Sequence, residues 1–231
     1  MNRLRSHIRY YTIVSFLLIA TTLLSNDNIN RSLGRANAAE DLRIYFKLID
    51  EQHGNPYQFV PRSAFLAAVD QTITALPEQI DVKQFEVELA KLNNLIRCGH
   101  TTVNLATEVF KQESRLAQFF PIPVSIIDQR IYVNFDQTDI PHGAELLSIN
   151  GQALNASLSE LIQLTVSDGL GETKSFRELE SRFGYYLYLL YGSAENFAVT
   201  YRRPDGVISE QNIAPVAGNT MIANNYFRPL Y

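Results

Sequence analysis

A single cysteine, Cys98, stands in 231 residues, which excludes an internal disulfide framework and any multi-cysteine metal site. Histidine is nearly as sparse. His53, His100 and His142 are scattered without ligand spacing, so no metal and no other cofactor is expected. Positive charge is scarce as well: Lys and Arg number 20 against 24 Asp and Glu. Five of those bases (Arg3, Arg5, Arg9, Arg31, Arg35) fall in residues 1–38 with one acid, Asp27, which leaves the remainder at a net charge of −8. Nothing offers a basic face, and nucleic acid is excluded as a partner. The glycine-containing loop Asp168-Gly169-Leu170-Gly171-Glu172-Thr173 lacks the Gly-Lys-Ser/Thr ending of a phosphate loop. No Gly-x-Ser-x-Gly elbow occurs, and no Ser/Lys pair stands in a catalytic context. Glu178 and Glu180 fall on opposite faces of a helix with no second acidic cluster, which does not suit a glycosidase.

What is present fits a globular protein, with 46% apolar and 19% charged residues. The length suits one large domain or two small ones. Arg3, Arg5 and Arg9 precede an apolar run over residues 10–24. That run is shorter than the roughly 20 residues of a spanning helix, so it reads as the apolar stretch of a secretory signal. Ala36-Asn37-Ala38 supplies a small-x-small cleavage pattern, which would make Ala39 the mature N-terminus. The polar gap over residues 25–35 is long for a signal peptide, so an uncleaved inner-membrane anchor is the alternative. Either way the expectation is export to a bacterial periplasm, with residues 1–38 as signal or anchor.

Residues 39–98 read as helical. Leu42, Tyr45, Phe46 and Ile49 recur at helical spacing, predicting a helix over residues 40–51. His53-Gly54-Asn55-Pro56 ends it. Pro61 suits the start of a second helix with Phe65, Val69, Ile73 and Leu76 inside, stopped by Pro77. Asp81 with Gln84 reads as a capping-box variant before a third helix that buries Phe85, Leu89, Leu92 and Ile96. Gly99 then falls where a left-handed C′ residue is expected. His100-Thr101-Thr102-Val103-Asn104-Leu105 begins a strand, and an isolated histidine at such a joint is ordinarily structural or exposed. Cys98 reads as a small buried apolar residue and not as a nucleophile, since Gly99 at a bend keeps it from converging on His100.

Residues 99–216 read as a β-rich domain. Strands are expected at residues 124–127, with Asp128-Gln129-Arg130 turning the chain, and through Ile131, Val133 and Phe135. Leu147 and Ile149 alternate with smaller or polar residues, and Asn150-Gly151 supplies the two positive-φ residues of a tight turn. A helix over residues 157–166 is predicted, capped by Ser157, with Leu158, Leu161, Ile162 and Thr165 inside. A longer, tyrosine-rich helix follows over residues 175–191, then a hairpin from Phe197, Val199 and Tyr201 through Pro204-Asp205-Gly206. The fold class is therefore α+β: a short N-terminal helical bundle followed by a β-rich domain with an inserted helix.

The run from Gly143 to Gly151, with its Leu-Leu-Ser-Ile-Asn-Gly ending, resembles a segment of PDZ-like domains. The order of helices, Cys98-Gly99-His100-Thr101 and this run is similar to the N-terminal half of the tail-specific (C-terminal processing) and tricorn-like serine peptidases. The resemblance implies a module that binds a peptide or unfolded protein segment by strand addition, with Leu147, Ile149, Asn150, Gly151, Leu158 and Ile162 at its groove. In that family the nucleophilic serine lies on a later α/β domain. The tricorn-like branch takes its histidine base from this joint, where the chain has His100; in the tail-specific branch a lysine of the later domain is the base. Relatives often carry Asp where this chain has Cys98, so the branch stays open. Residues 217–231 are too few for a serine domain. The expected function is thus an N-terminal portion of an exported serine endopeptidase, inactive alone, whose catalytic domain would follow in cis or dock in trans. The alternative is a non-catalytic periplasmic peptide-binding module.

Overall fold

The computed structural model describes residues 15–17, 32–104, 115–136 and 138–218. Its first part is helical. Helix α1 (Arg35–Gln52) buries Ala38, Ala39, Leu42, Tyr45 and Ile49, so the expected stripe is present but the helix starts earlier and takes in Ala36-Asn37-Ala38. Helix α2 (Arg62–Ala75) begins after Pro61 and buries Phe65 and Val69. Phe65 is fully buried and packs against the rings of Tyr45, Phe46 and Tyr57, with centroids 6.3, 6.0 and 6.4 Å away. Asp50 ties the two helices at the surface, accepting from Arg62 at 2.7 and 2.8 Å and from the Tyr57 hydroxyl at 2.6 Å.

A strand pair not foreseen from the sequence links α1 to α3: β2 (Ser32–Gly34) runs antiparallel to β3 (Gln79–Asp81). Three residues are too few to show a period of two. Asp81 then caps helix α3 (Val82–Ile96), its carboxylate accepting from the Lys83 N–H at 2.8 Å. The cap is as expected, and no reciprocal bond from Gln84 is found among the described residues. Helix α3 ends differently from the prediction. Its left-handed residue is Arg97, at φ 53°, and Gly99 does not have a positive φ. Strand β4 (Thr102–Asn104) follows, paired in parallel with β1 (Ser15–Leu17) from the apolar N-terminal run. Leu105 lies outside the described residues.

The second part is a twisted sheet with helices against it. The remaining strands are β5 (Gln118–Phe119), β6 (Val124–Ile127), β7 (Arg130–Val133), β8 (Glu145–Ile149), β9 (Gln152–Ala153), β10 (Phe197–Arg202), β11 (Ile208–Ile213) and β12 (Val216–Ala217). The main sheet has the order β11-β10-β8-β7-β6, with β9 added to β8, and β5 pairs separately with β12. The β6–β7 hairpin turns through Asp128 and Gln129 at φ 49° and 59°, and β8–β9 through Asn150 and Gly151 at 49° and 77°. Both are two-residue turns of the twist-matched kind.

Strand β8 departs from simple alternation. Its pairing with β10 slips between Thr200 and Tyr201, so that Ile149 faces Val199 while Leu146 faces Tyr201. Leu147 is the extra residue of that bulge, which is why Leu146 and Ile149, rather than Leu147 and Ile149, are the buried pair.

Helix α4 (Leu154–Gln163) lies three residues earlier than predicted. Ser157 is inside it, not at its cap: its Oγ donates to the Ala153 carbonyl at 3.1 Å and accepts from the Tyr191 hydroxyl at 2.7 Å. The long tyrosine-rich helix is two helices, α5 (Thr173–Ser181) and α6 (Phe183–Tyr191), broken at Arg182 (φ −137°, ψ 31°). The Ser181 hydroxyl donates to the Glu178 carbonyl at 2.7 Å, a local bond that competes with the helical ladder. Gly184 follows closely, and glycine favours a break.

The architecture is α+β, as expected: a helical region, then a sheet domain with inserted helices. Two hydrophobic clusters fill it, one among α1–α3 and one between the sheet and α4–α6. Helix α3 serves both, giving Phe85, Leu89, Leu92 and Ile96 to the first and Val87 to the second. Among the described residues no helix is long and apolar enough to cross a membrane; most of residues 10–24 lies outside them.

Candidate functional site

His100 sits at the tip of a turn whose two ends are fixed. The Thr101 N–H donates to the Cys98 carbonyl at 3.1 Å, closing residues 98–101. Asn93 of α3 donates to the Thr101 carbonyl at 2.7 Å and accepts from the Tyr45 hydroxyl at 3.1 Å, so α1 and α3 both hold the outgoing strand. On the other side the Gly169 N–H donates to the Arg97 carbonyl at 2.9 Å, and Lys174 Nζ donates to the Gly99 carbonyl at 2.9 Å. Gly99 is glycine because of this approach: a Cβ there would overlap Lys174 Nζ and press Asp168 Cβ at 3.3 Å. The imidazole of His100 is exposed, and no hydrogen bond to it is found among the described residues. Cys98 is half-buried against the helical core, less enclosed than its reading as a buried apolar residue expects.

A second histidine has a partner the sequence did not suggest. His142 Nδ1 lies 2.8 Å from Asp136 Oδ1 in the β7–β8 loop, both side chains more than half exposed. No hydroxyl is found on its other ring nitrogen among the described residues. Among the same residues no cluster of His, Cys, Asp and Glu could hold a metal ion.

The six residues expected at a peptide groove are not gathered on one open surface. Asn150 is committed to β10: its Oδ1 accepts from the Ala198 N–H at 2.7 Å and its own N–H donates to the Ala198 carbonyl at 2.8 Å. Leu158 is buried in the sheet–helix core, and Ile162 is half-buried against it. Ile149, Asn150 and Gln152 do share a shallow cleft of about 230 Å³ with Tyr188, Tyr191 and Ser193. Strand β8 itself has neighbours on both edges, β10 on one and β7 then β9 on the other. Ile149 is therefore flanked on both edges, while the bulge residue Leu147 has no ladder partner among the described residues.

Among the described residues the edge strands of the sheet are β6 and β11. Beside β6 lies α5, whose Glu180 accepts from the Ile126 N–H through Oε1 at 2.6 Å and from Arg177 through Oε2 at 2.5 Å. Two residues earlier, Glu178 turns the other way, into the core, to accept from the Tyr186 hydroxyl at 3.0 Å. Glu86 of α3 accepts from the Tyr185 hydroxyl through both oxygens, at 2.8 and 2.9 Å. Burial, followed by the charge of the facing carboxylate, pushes both tyrosine hydroxyls well up, so they stay neutral donors. Sequence reading separated Glu178 from Glu180 by helix face but did not assign either a partner, because α5 could not be placed beside β6 from periodicity.

Three solved structures align with this chain. A crystal structure of a CPAF mutant aligns with 78% of this chain and 34% of its own at 18% identity, with a TM-score of 0.51. Mature CPAF covers 85% and 38% at 18% identity and a TM-score of 0.48. Mature CPAF complexed with lactacystin covers 85% and 39% at 20% identity and a TM-score of 0.49. At such identity the likeness is one of fold. The chain spans about a third of the length of the CPAF chain it matches best in shape among these. No protein-family model and no curated protein matches it.

Proposed function

We propose that the chain is the substrate-presenting portion of an exported serine-type endopeptidase. It takes up an extended peptide or unfolded segment by strand addition and offers His100 as general base to a serine on a domain supplied in cis or in trans. The observation that carries the reading is the edge strand β6 with α5 alongside. An unpaired strand edge gives main-chain affinity for an extended chain, and a flanking helix gives side chains to read it. On this reading Leu147, Ile149, Asn150 and Gly151 lie on β8 and its turn, two strands from the site, and Leu158 and Ile162 lie on α4. The likeness of fold to CPAF, a serine protease, supports the peptidase half of the reading. So does the fixed, exposed turn of His100, since a base that serves a second domain must be both accessible and held in place. Hydrolysis needs nucleophile, base and oxyanion donors together, and the described residues offer at most the base. The chain alone is therefore expected to be inert.

Titrating the isotopically labelled chain with extended peptides tests the binding half. Amide shifts are expected at β6 and α5; shifts confined to β8 and α4, or none at millimolar peptide, overturn it. For the base, a fusion to a serine-bearing domain is compared with its His100→Ala variant. A fall in kcat of about 100-fold or more is expected, and unchanged turnover removes His100 from the mechanism. One observation favours a second reading, a non-catalytic periplasmic peptide-binding module: the His100 ring has no orienting partner among the described residues. That reading keeps the peptide-induced shifts and predicts no turnover in the fusion.

A further inference from the structure

We infer that Glu180 is a displaceable plug in the β6 edge, and that a peptide docks by taking the Ile126 N–H from it. This deepens the peptide-binding reading above and rests on it. The direction of the edge follows from the ladder. Val133 donates its N–H to the Ala144 carbonyl and accepts from the Gly143 N–H, both at 2.9 Å, away from Val124 opposite it. Val124, and by the alternation of an antiparallel pair Ile126, therefore turn their main-chain groups outward. Ser125 and Ile127 turn theirs toward β7.

On that outward side the acceptor at Ile126 is a carboxylate, at the place where an added strand would put a carbonyl. The Glu180 side chain is only 11% exposed, whereas its counter-ion Arg177 is 60% exposed. The carboxylate has been drawn out of water onto the strand edge, and among the described residues Arg177 alone compensates its charge, from the solvent side. The two are three residues apart on α5, so Glu180 can swing off the edge and keep its ion pair in water. An incoming peptide replaces the lost bond with a neutral acceptor, and its next residues take up Val124. The occupant is thus an extended segment recognised by its main chain, not by a charge of its own, since no cation is released when Glu180 leaves with Arg177.

The test uses an end-capped, uncharged heptapeptide of alternating Val and Thr, the full chain, and the Glu180→Ala and Glu180→Gln variants. Glutamine keeps a neutral acceptor at the same place, so it preserves the fold if alanine does not. Affinity for the heptapeptide is expected to rise about tenfold or more in Glu180→Ala and by less in Glu180→Gln, because a charge-assisted bond is the stronger competitor. In the free protein the Ile126 amide is expected to exchange faster in Glu180→Ala and to be protected again by saturating peptide. Equal or weaker affinity in the variants, with Ile126 still protected by peptide, overturns the plug and leaves the β6 reading standing. Saturation without protection of Ile126, or no binding by any form, overturns both. Concentration-dependent dimerisation of Glu180→Ala that the peptide does not reverse makes the occupant a second copy and overturns the peptide.

Discussion

At the scale of single residues, the joint between the two parts of the molecule depends on Gly99. Its missing side chain lets Lys174 Nζ reach the Gly99 carbonyl. Gly99→Ala is expected to push that ammonium away and destabilise the chain by up to about 1.5–3 kcal/mol, the worth of a hydrogen bond to a charged group. Lys174→Met is expected to cost a similar amount. The two should fall short of additivity in a double-mutant cycle from urea unfolding, because each removes the same bond. Full additivity would mean that Gly99 is needed for some other reason. Asp50 gives a pH-dependent contact. Hydrogen bonds from Arg62 and Tyr57 hold its carboxyl down to about 2, against about 3.9 for an unfolded aspartate. A depressed acid contributes stability that is present above the unfolded value and lost as pH falls through the folded one. Unfolding midpoints should therefore drop between about pH 4 and 2, and Asp50→Asn should flatten that part of the profile.

At the scale of elements, local chemistry was legible wherever the signal was local. Asp81 read correctly as the cap of α3, and Asp81→Ala is expected to cost about 1 kcal/mol by the same urea measurement. The β6–β7, β8–β9 and β10–β11 hairpins could be placed because their turn residues announce themselves, as Asn150-Gly151 does with φ 49° and 77°. What could not be read was anything decided across the fold. Gly99 invited a C-cap assignment on composition alone, yet Arg97 takes the left-handed position and Gly99 answers to Lys174, which lies 75 residues on. Leu147 was assigned a face by alternation, which the bulge opposite Thr200 and Tyr201 resets. The break at Arg182 was hidden by continuous helical periodicity from residue 175 to 191. The resemblance of its Leu-Leu-Ser-Ile-Asn-Gly run to PDZ-like domains also pointed to β8 as the peptide strand. A side-chain pattern shows which face is buried and not which edge is paired, and β8 lies inside the sheet, with β6 at its end among the described residues.

At the scale of the whole molecule, α3 decides how the parts behave together. It feeds both hydrophobic clusters, and Asn94 near its end donates to the Thr165 and Ile162 carbonyls at 2.9 and 3.4 Å. Two cores sharing one helix should unfold as a unit. Far-ultraviolet circular dichroism and tyrosine fluorescence are expected to give coincident urea transitions, and Phe65→Ala, in the helical core, should shift both by about 3–5 kcal/mol. Separate transitions would mean that α3 belongs to only one part.

The two edges of the sheet also bear on how the chain behaves at high concentration. Any exposed strand edge can template pairing between copies, and proteins blunt such edges with charge or cover. Here α5 lies beside β6, while β11 has no outer strand partner among the described residues and carries Glu210 near its middle. An antiparallel meeting of two β11 strands centred on that residue sets two like charges opposite each other. The sheet thus resists pairing with its own kind along β11, so Glu210→Gln should lower colloidal stability at high concentration.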